Sequence, residues 1–164
     1  MKLLSIVLTA ALLPLSLITA QAASLSQNDS DYLNSAMSAQ LGRFALASLA
    51  EKQASSAQVK SLAASIASQS STATRALETL AKTYGVAPAK GPPVQASYQY
   101  SQLSDLHGSQ FDSRFIQELK IDDDTVSSDD QSEAQGGRNT QLKSFAKQRY
   151  AALQNEQKKL NSIH

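Results

Sequence analysis

Apolar residues recur along this chain at spacings of three to five over four long stretches, the rhythm of helices with one buried face rather than of strands. The first stripe reads Leu33, Met37, Leu41, Phe44 and, after a phase step, Leu49. It predicts a helix opening near Asp29 or Ser30, both good N-caps, behind a polar lead-in over residues 23–30. Ala54-Ser55-Ser56 forms the turn, and either serine can cap the second helix. That helix carries Val59, Leu62, Ile66, Ala73, Leu77, Leu80 and Tyr84, and Gly85 is a left-handed terminator. A third stripe of Phe111, Phe115, Leu119 and Val126 begins near Ser109 and stops at Gly136-Gly137. The fourth starts behind Asn139 or Thr140 and reads Leu142, Phe145, Arg149, Leu153, Glu156, Leu160 and Ile163.

Between the second and third stripes, "GVAPAKGPPVQASY" forbids a continuous helix. This connection, about residues 85–108, is long enough to cross from one end of the molecule to the other. A short helical piece around Ser97–Leu106 is expected near its end, before His107-Gly108. The prediction is an all-α, four-helix bundle over residues 31–164 with one long crossover connection.

The stripes are interrupted in their middles. Stepping four residues from Ile66 lands on Ser70, with Gln69 beside it; the third stripe meets Asp122 or Asp123; the fourth meets Glu156. Charge is also unevenly shared. The third helix holds eight acids between Asp112 and Glu133 against Arg114 and Lys120. The fourth region carries Arg138, Lys143, Lys147, Arg149, Lys158 and Lys159 against Glu156. Joined by a tight Gly-Gly turn, these two helices are expected to lie antiparallel with opposite charges facing. Most of the acid run "LKIDDDTVSSDDQSE" then reads as a solvated face.

The chain opens on "MKLLSIVLTAALLPLSLITAQAA", one positive charge followed by an apolar run and small residues. Ala20-Gln21-Ala22 matches a signal-peptidase site, which predicts a leader over residues 1–22, cleavage after Ala22, and a periplasmic or otherwise exported protein. Of 15 basic and 14 acidic residues, only Lys2 lies in that leader, so the remainder is balanced. Balance gives no electrostatic case for nucleic acid or an anionic membrane. There is no cysteine to build disulfides or to carry a lipid anchor. No integral insertion is expected after cleavage; peripheral envelope association and a protein partner are the readings left open.

Candidate chemistry is sparse. Counted from Asp122, a calcium loop would place Val126 at its fifth position and Ser127 where a glycine is needed. Di-iron bundles use Glu-x-x-His pairs; His107 lies in a loop and His164 ends the chain, and neither follows such a glutamate. No Gly-x-Ser-x-Gly elbow is present, and no histidine is placed as a base. No catalytic residue or cofactor is therefore assigned. Asp122, Asp123 and Glu156 are candidates for a hard-cation site. Their alternative fate is to reach water or to pair with Arg149. Tyr98 and Tyr100, near Lys90, either form a binding surface on the crossover or pack it down.

The stretches "DYLNSAMSAQLGRFALASLA", "VKSLAASIASQSSTATRALETLAKTYGV", "LSDLHGSQFDSRFIQELKIDD" and "LKSFAKQRYAALQNEQKKL" resemble a bacterial family of exported ferritin-like proteins. It is the domain of unknown function numbered 4142, whose members are often labelled outer membrane proteins. The helix-opening Phe111-Asp112 is the most specific element. Where the resemblance implies Asp-His in the second helix, this chain has Gln69-Ser70; where it implies a second Asp-His, this chain has Asp122-Asp123. A histidine expected late in the last helix falls on Glu156, and a glutamate in the first on Phe44. The resemblance supports fold and compartment and weakens any inherited metal chemistry.

Overall fold

A computed structural model describes residues 24–163; the expected leader with its cleavage site, and His164, lie outside the described residues. Those described fold entirely as helices and connections: α1 (Gln27–Gln53), α2 (Ala57–Tyr84), α3 (Val94–Ser104), α4 (Gly108–Gly136) and α5 (Thr140–Leu160).

Helix limits are written locally. Ser56 caps α2 and Asn139 caps α5, the latter by accepting from the N–H groups of Gln141 and Leu142. Gly85 ends α2 at a φ of 67°, a conformation that favours glycine. The start of α1 differs from expectation. Its N-cap is Ser26, whose hydroxyl accepts from the Asp29 N–H at 3.2 Å and donates to the Asp29 carboxylate at 2.7 Å. The lead-in therefore ends at Ser26 and not at residue 30. Asp29 cannot cap from outside because it is itself buried in the first turn. Likewise α3 starts at Val94, ahead of the expected 97, because Pro93 sets the entry angle of the helix.

Two apolar clusters fix the topology. One gathers Leu46, Leu49, Ile66, Leu103, Phe111, Phe115, Leu119 and Leu160; the other gathers Tyr32, Leu33, Met37, Leu77, Ala81, Leu142 and Ala146. Each long helix contributes its beginning to one cluster and its end to the other. It follows that α1 runs antiparallel to α2, and α4 to α5. The 85–107 segment returns the chain from the second cluster to the first, and α3 lies on that return against α1 and α4. Gly42 permits this approach: a Cβ there would stand 2.7 Å from the Ala96 Cβ.

The two helical hairpins also hold each other's turns. Asp112 of α4 accepts from the N–H groups of Ser55 (3.0 Å) and Ser56 (2.8 Å) in the α1–α2 turn, and from the Ser55 hydroxyl. Asp29 of α1 accepts from the Arg138 N–H at 2.9 Å in the α4–α5 turn. Phe111, beside Asp112, is fully buried and stacks on Phe115 with ring centroids 6.0 Å apart. The Phe111-Asp112 pair thus joins a core anchor to a turn latch.

The predicted stripe of α1 is corrected in its middle. Phe44 is 44% exposed and Leu41 only half-buried, whereas Gln40 and Arg43 point inward. Three-residue steps from Met37 give Gln40 and Arg43, and then Ala47 and Ala50 follow. Both lines keep a helical spacing, so periodicity alone does not separate them, and the buried face is the one through Gln40 and Arg43.

Candidate functional site

Between the two apolar clusters every long helix turns polar. Gln40 and Arg43 come from α1, Ser70 from α2, Asp123, Ser127 and Asp130 from α4, and Arg149 and Glu156 from α5, all buried. The centre of this layer is Arg43, 2% exposed. Its Nη1 donates to Asp123 Oδ1 at 2.7 Å and to Asp122 Oδ2, and its Nη2 donates to Glu156 Oε1 at 2.5 Å. A guanidinium offers five donors in a planar fork, so one side chain can address acids on two other helices at once.

The sequence candidates Asp122, Asp123 and Glu156 are thus brought together, as their places on the stripes required. Their partner is not the expected Arg149 but Arg43. Burial works against the Arg43 charge, but Glu156, Asp122 and Asp123 outweigh it and hold the guanidinium firmly protonated, its pKa above the ordinary arginine value. Asp123, fully buried, is pushed up to about 7, first by burial and then by neighbouring Glu156, with Arg43 opposing. Asp122 keeps a quarter of its side chain in solvent.

Arg149 has a different neighbourhood. Its Nε lies 3.6 Å from Asp130 Oδ2, beyond hydrogen-bonding reach, because Asp130 Oδ1 is held by the Tyr32 hydroxyl at 2.7 Å. Burial lowers the Arg149 pKa and nearby Arg43 lowers it further, while Asp130 opposes both. Burial raises Asp130, with the Tyr32 hydrogen bond and Arg149 pulling it back. Tyr32 is raised above the ordinary tyrosine value by burial and by the charge of Asp130.

At the far end of α4 a further acid turns inward. Glu133 is 6% exposed and its pKa is pushed up to about 7, by burial and then by the charge of Asp29. Asp29 goes the other way. Burial pushes it up, but hydrogen bonds from the Ser26 hydroxyl and from the Arg138, Asn139 and Ser26 N–H groups together hold it below its ordinary value.

Asp130 and Glu133 correct the reading of the acid run as mainly solvated: with Asp123 they follow α4's inner line, while Asp124 and Asp129 face water. The expected facing of acidic α4 and basic α5 is likewise reduced to Arg149 and Asp130 among the ion pairs of the described residues. Gln69 is exposed on α2, Ser70 is buried with an unpartnered hydroxyl, and Phe44 stays outside the layer. Tyr98 and Tyr100 remain 59% and 42% exposed, so they do not pin the crossover down. Gln40, Arg43, Ser127 and Asp130, with Tyr32 beside them, are the members that sequence reasoning missed.

A family model for a domain of unknown function, DUF4142, matches residues 15–163. No curated protein matches the chain. Among solved structures, the crystal structure of a DUF305 fragment from Deinococcus radiodurans is similar, with a TM-score of 0.77 at 14% identity, covering 85% of this chain and 97% of that one. At that identity the likeness concerns the fold alone.

Proposed function

The chain belongs to the DUF4142 family, and from its buried chemistry we propose a non-catalytic, exported helical protein built as a ferritin-like four-helix bundle with one crossover. Its place is the bacterial periplasm or envelope, in envelope maintenance, stress response or protein interaction. The observation that carries this reading is Arg43. The carboxylates that a metal-dependent chemistry would recruit already share an internal cation, bonded to Asp123 and Glu156 at 2.7 and 2.5 Å. Buried acids so compensated serve packing and register rather than proton transfer to a substrate. Export rests on the apolar leader and its Ala20-Gln21-Ala22 site. No helix among the described residues is long and apolar enough to cross a membrane, which fits peripheral association with the envelope.

A second reading keeps Asp122, Asp123 and Glu156 as ligands of a hard cation. It draws on Asp123 Oδ2, which is buried without a hydrogen-bond partner, and on the layer's four acids against two arginines. Elemental analysis of protein purified without added metal, with thermal shifts in Mn²⁺, Ca²⁺ and Fe²⁺, separates the two. The preferred reading expects no site-specific rise in Tm. A rise that an Asp123→Ala/Glu156→Ala variant abolishes would establish the metal site, since an ion that binds only the folded state stabilises it by mass action. Fractionation of cells making the full chain tests export: retention of the protein, unprocessed, in the cytoplasm contradicts it. Pull-down from envelope extract then tests for a partner.

A further inference from the structure

A cleft of about 330 Å³ opens between α2 and α5. Ala73 and Ala76 of α2 and Phe145 and Ala152 of α5 line it, with exposed Gln69 and Gln148 supplying amides. Arg149 lines it too, and is more than nine-tenths buried. Its Nε and Nη2 are fully buried without a hydrogen-bond partner among the described residues.

Guanidinium donors are rarely left so. An arginine stays charged at any physiological pH, and a buried donor without a partner has given up its hydration for no bond in return. The neighbouring acids do not satisfy them: Asp130 Oδ1 holds Tyr32 and its Oδ2 pairs with Arg149 Nε only at 3.6 Å, while Asp122, Asp123 and Glu156 bond Arg43. Arg149 is therefore the arginine of the layer with more unspent donors, Nε and Nη2 against Nε alone on Arg43. The planar fork of a guanidinium matches a carboxylate by two parallel N–H···O bonds. The alanines and Phe145 give the cleft an apolar floor that suits a hydrocarbon body, with Ser68, Gln69, Thr72 and Gln148 as polar lining beside it. The volume lies at the low end for small-molecule pockets.

We infer that the α2–α5 cleft binds a small monocarboxylate, its head on the Arg149 guanidinium and its apolar tail between Ala76 and Phe145. This goes beyond the structural role proposed for the layer and does not depend on the compartment of the protein.

The test is titration of the folded protein with hexanoate and benzoate, followed by NMR and calorimetry, beside the neutral hexanol and benzamide and beside sulfate. Hexanoate or benzoate should bind with Kd near or below about 1 mM and shift the Phe145 and Ala152 resonances. Ala76→Phe, at an exposed position, plugs the cleft without touching the layer and should weaken binding at least about tenfold. Arg149→Gln should weaken it comparably; should that variant fail to fold, the plug and the neutral analogues decide. No binding up to about 20 mM overturns the inference, as does equal affinity for benzamide and benzoate, or an affinity that Ala76→Phe leaves unchanged. Sulfate binding as tightly as hexanoate would overturn the assignment to carboxylates.

Discussion

The cluster around Phe111 and Phe115 and the layer around Arg43 are both buried, yet they hold the helices together in different ways. The cluster works by area removed from water, with about 1.5–3 kcal/mol for each large apolar side chain, and asks only for volume and shape. The layer works by direction: Arg43 must meet Asp123 and Glu156 at bonding distance, and a one-turn slip of α1 would separate them. Its net energy is small, because desolvating two charges roughly cancels their attraction. What it supplies is register. Four helices with apolar stripes alone could slide past each other; one cation on α1 shared by acids of α4 and α5 selects a single alignment.

The sharpest break in that comparison is Arg43→Ala. It strands Asp123 and Glu156 in the interior and should cost about 3–5 kcal/mol, at the upper end at neutral pH, read as a fall in the urea midpoint. Replacing the whole group, Arg43→Met with Asp123→Leu and Glu156→Leu, should bring stability back to within about 1–2 kcal/mol of the parent, at the cost of broader helix-helix NMR resonances. A triple variant as unstable as Arg43→Ala would show that the layer stabilises outright. In the apolar cluster, Phe115→Ala should cost about 3–5 kcal/mol through the cavity it leaves. That loss should not vary with pH, whereas the Arg43→Ala loss should shrink in acid as Asp123 takes up a proton.

pH distinguishes the regions further. Asp123 and Glu133 both sit near 7 in the folded protein, against ordinary values of 3.8 and 4.5, and Asp130 is raised as well. The folded state therefore binds more protons than the unfolded state between about pH 4 and 7, and stability falls as pH rises through that window. Asp29 has the opposite sign: its depressed pKa gives stability that is lost only as pH falls below 3.8. Urea midpoints should be higher at pH 5 than at pH 8, by on the order of 1–3 kcal/mol in free energy. Glu133→Gln should flatten part of the slope; an unchanged slope would relocate the effect to Asp123 and Asp130. Tyr32→Phe comes next, with a loss of about 1 kcal/mol. Freed of Tyr32, Asp130 can close on Arg149, and that new pair limits the damage.

The sequence made the helices legible because caps and terminators are local: Ser56, Gly85 and Asn139 each act on their own helix end. It also placed Asp122, Asp123 and Glu156 on inner lines, since polar residues break an apolar stripe visibly. Arg43 stayed hidden for the same reason in reverse. Phe44 beside it is the more apolar residue at an equally helical spacing, and a stripe drawn by hydrophobicity steps onto it although the buried face passes through Arg43. Asp130 and Glu133 were hidden by company, sitting among acids that do face water. Such acids turn inward only when a distant partner exists, and Tyr32, Arg149 and Asp29 lie far away in sequence. The α2–α5 cleft has no sequence signature, since it is made of alanines on two helices that meet only in the fold.

The smallest expected effect tests what remains of the charge-facing idea. Acidic α4 and basic α5 look like partners in composition, but across their exposed surfaces the hydrogen bonds run from the Gln157 amide to Asp124 at 3.1 Å and from Lys143 Nζ to the Gln135 carbonyl at 3.3 Å, neither joining two charges. Exposed charges are well hydrated, screened by salt and free to move, so pairing them gains little. Asp124→Asn and Lys158→Gln/Lys159→Gln should therefore each move the urea midpoint by no more than about 0.5 kcal/mol in free energy. Salt should leave that difference unchanged. A larger loss that grows at low ionic strength would return the facing charges of α4 and α5 to a structural role; its absence leaves the buried charges around Arg43 to set how the two hairpins meet.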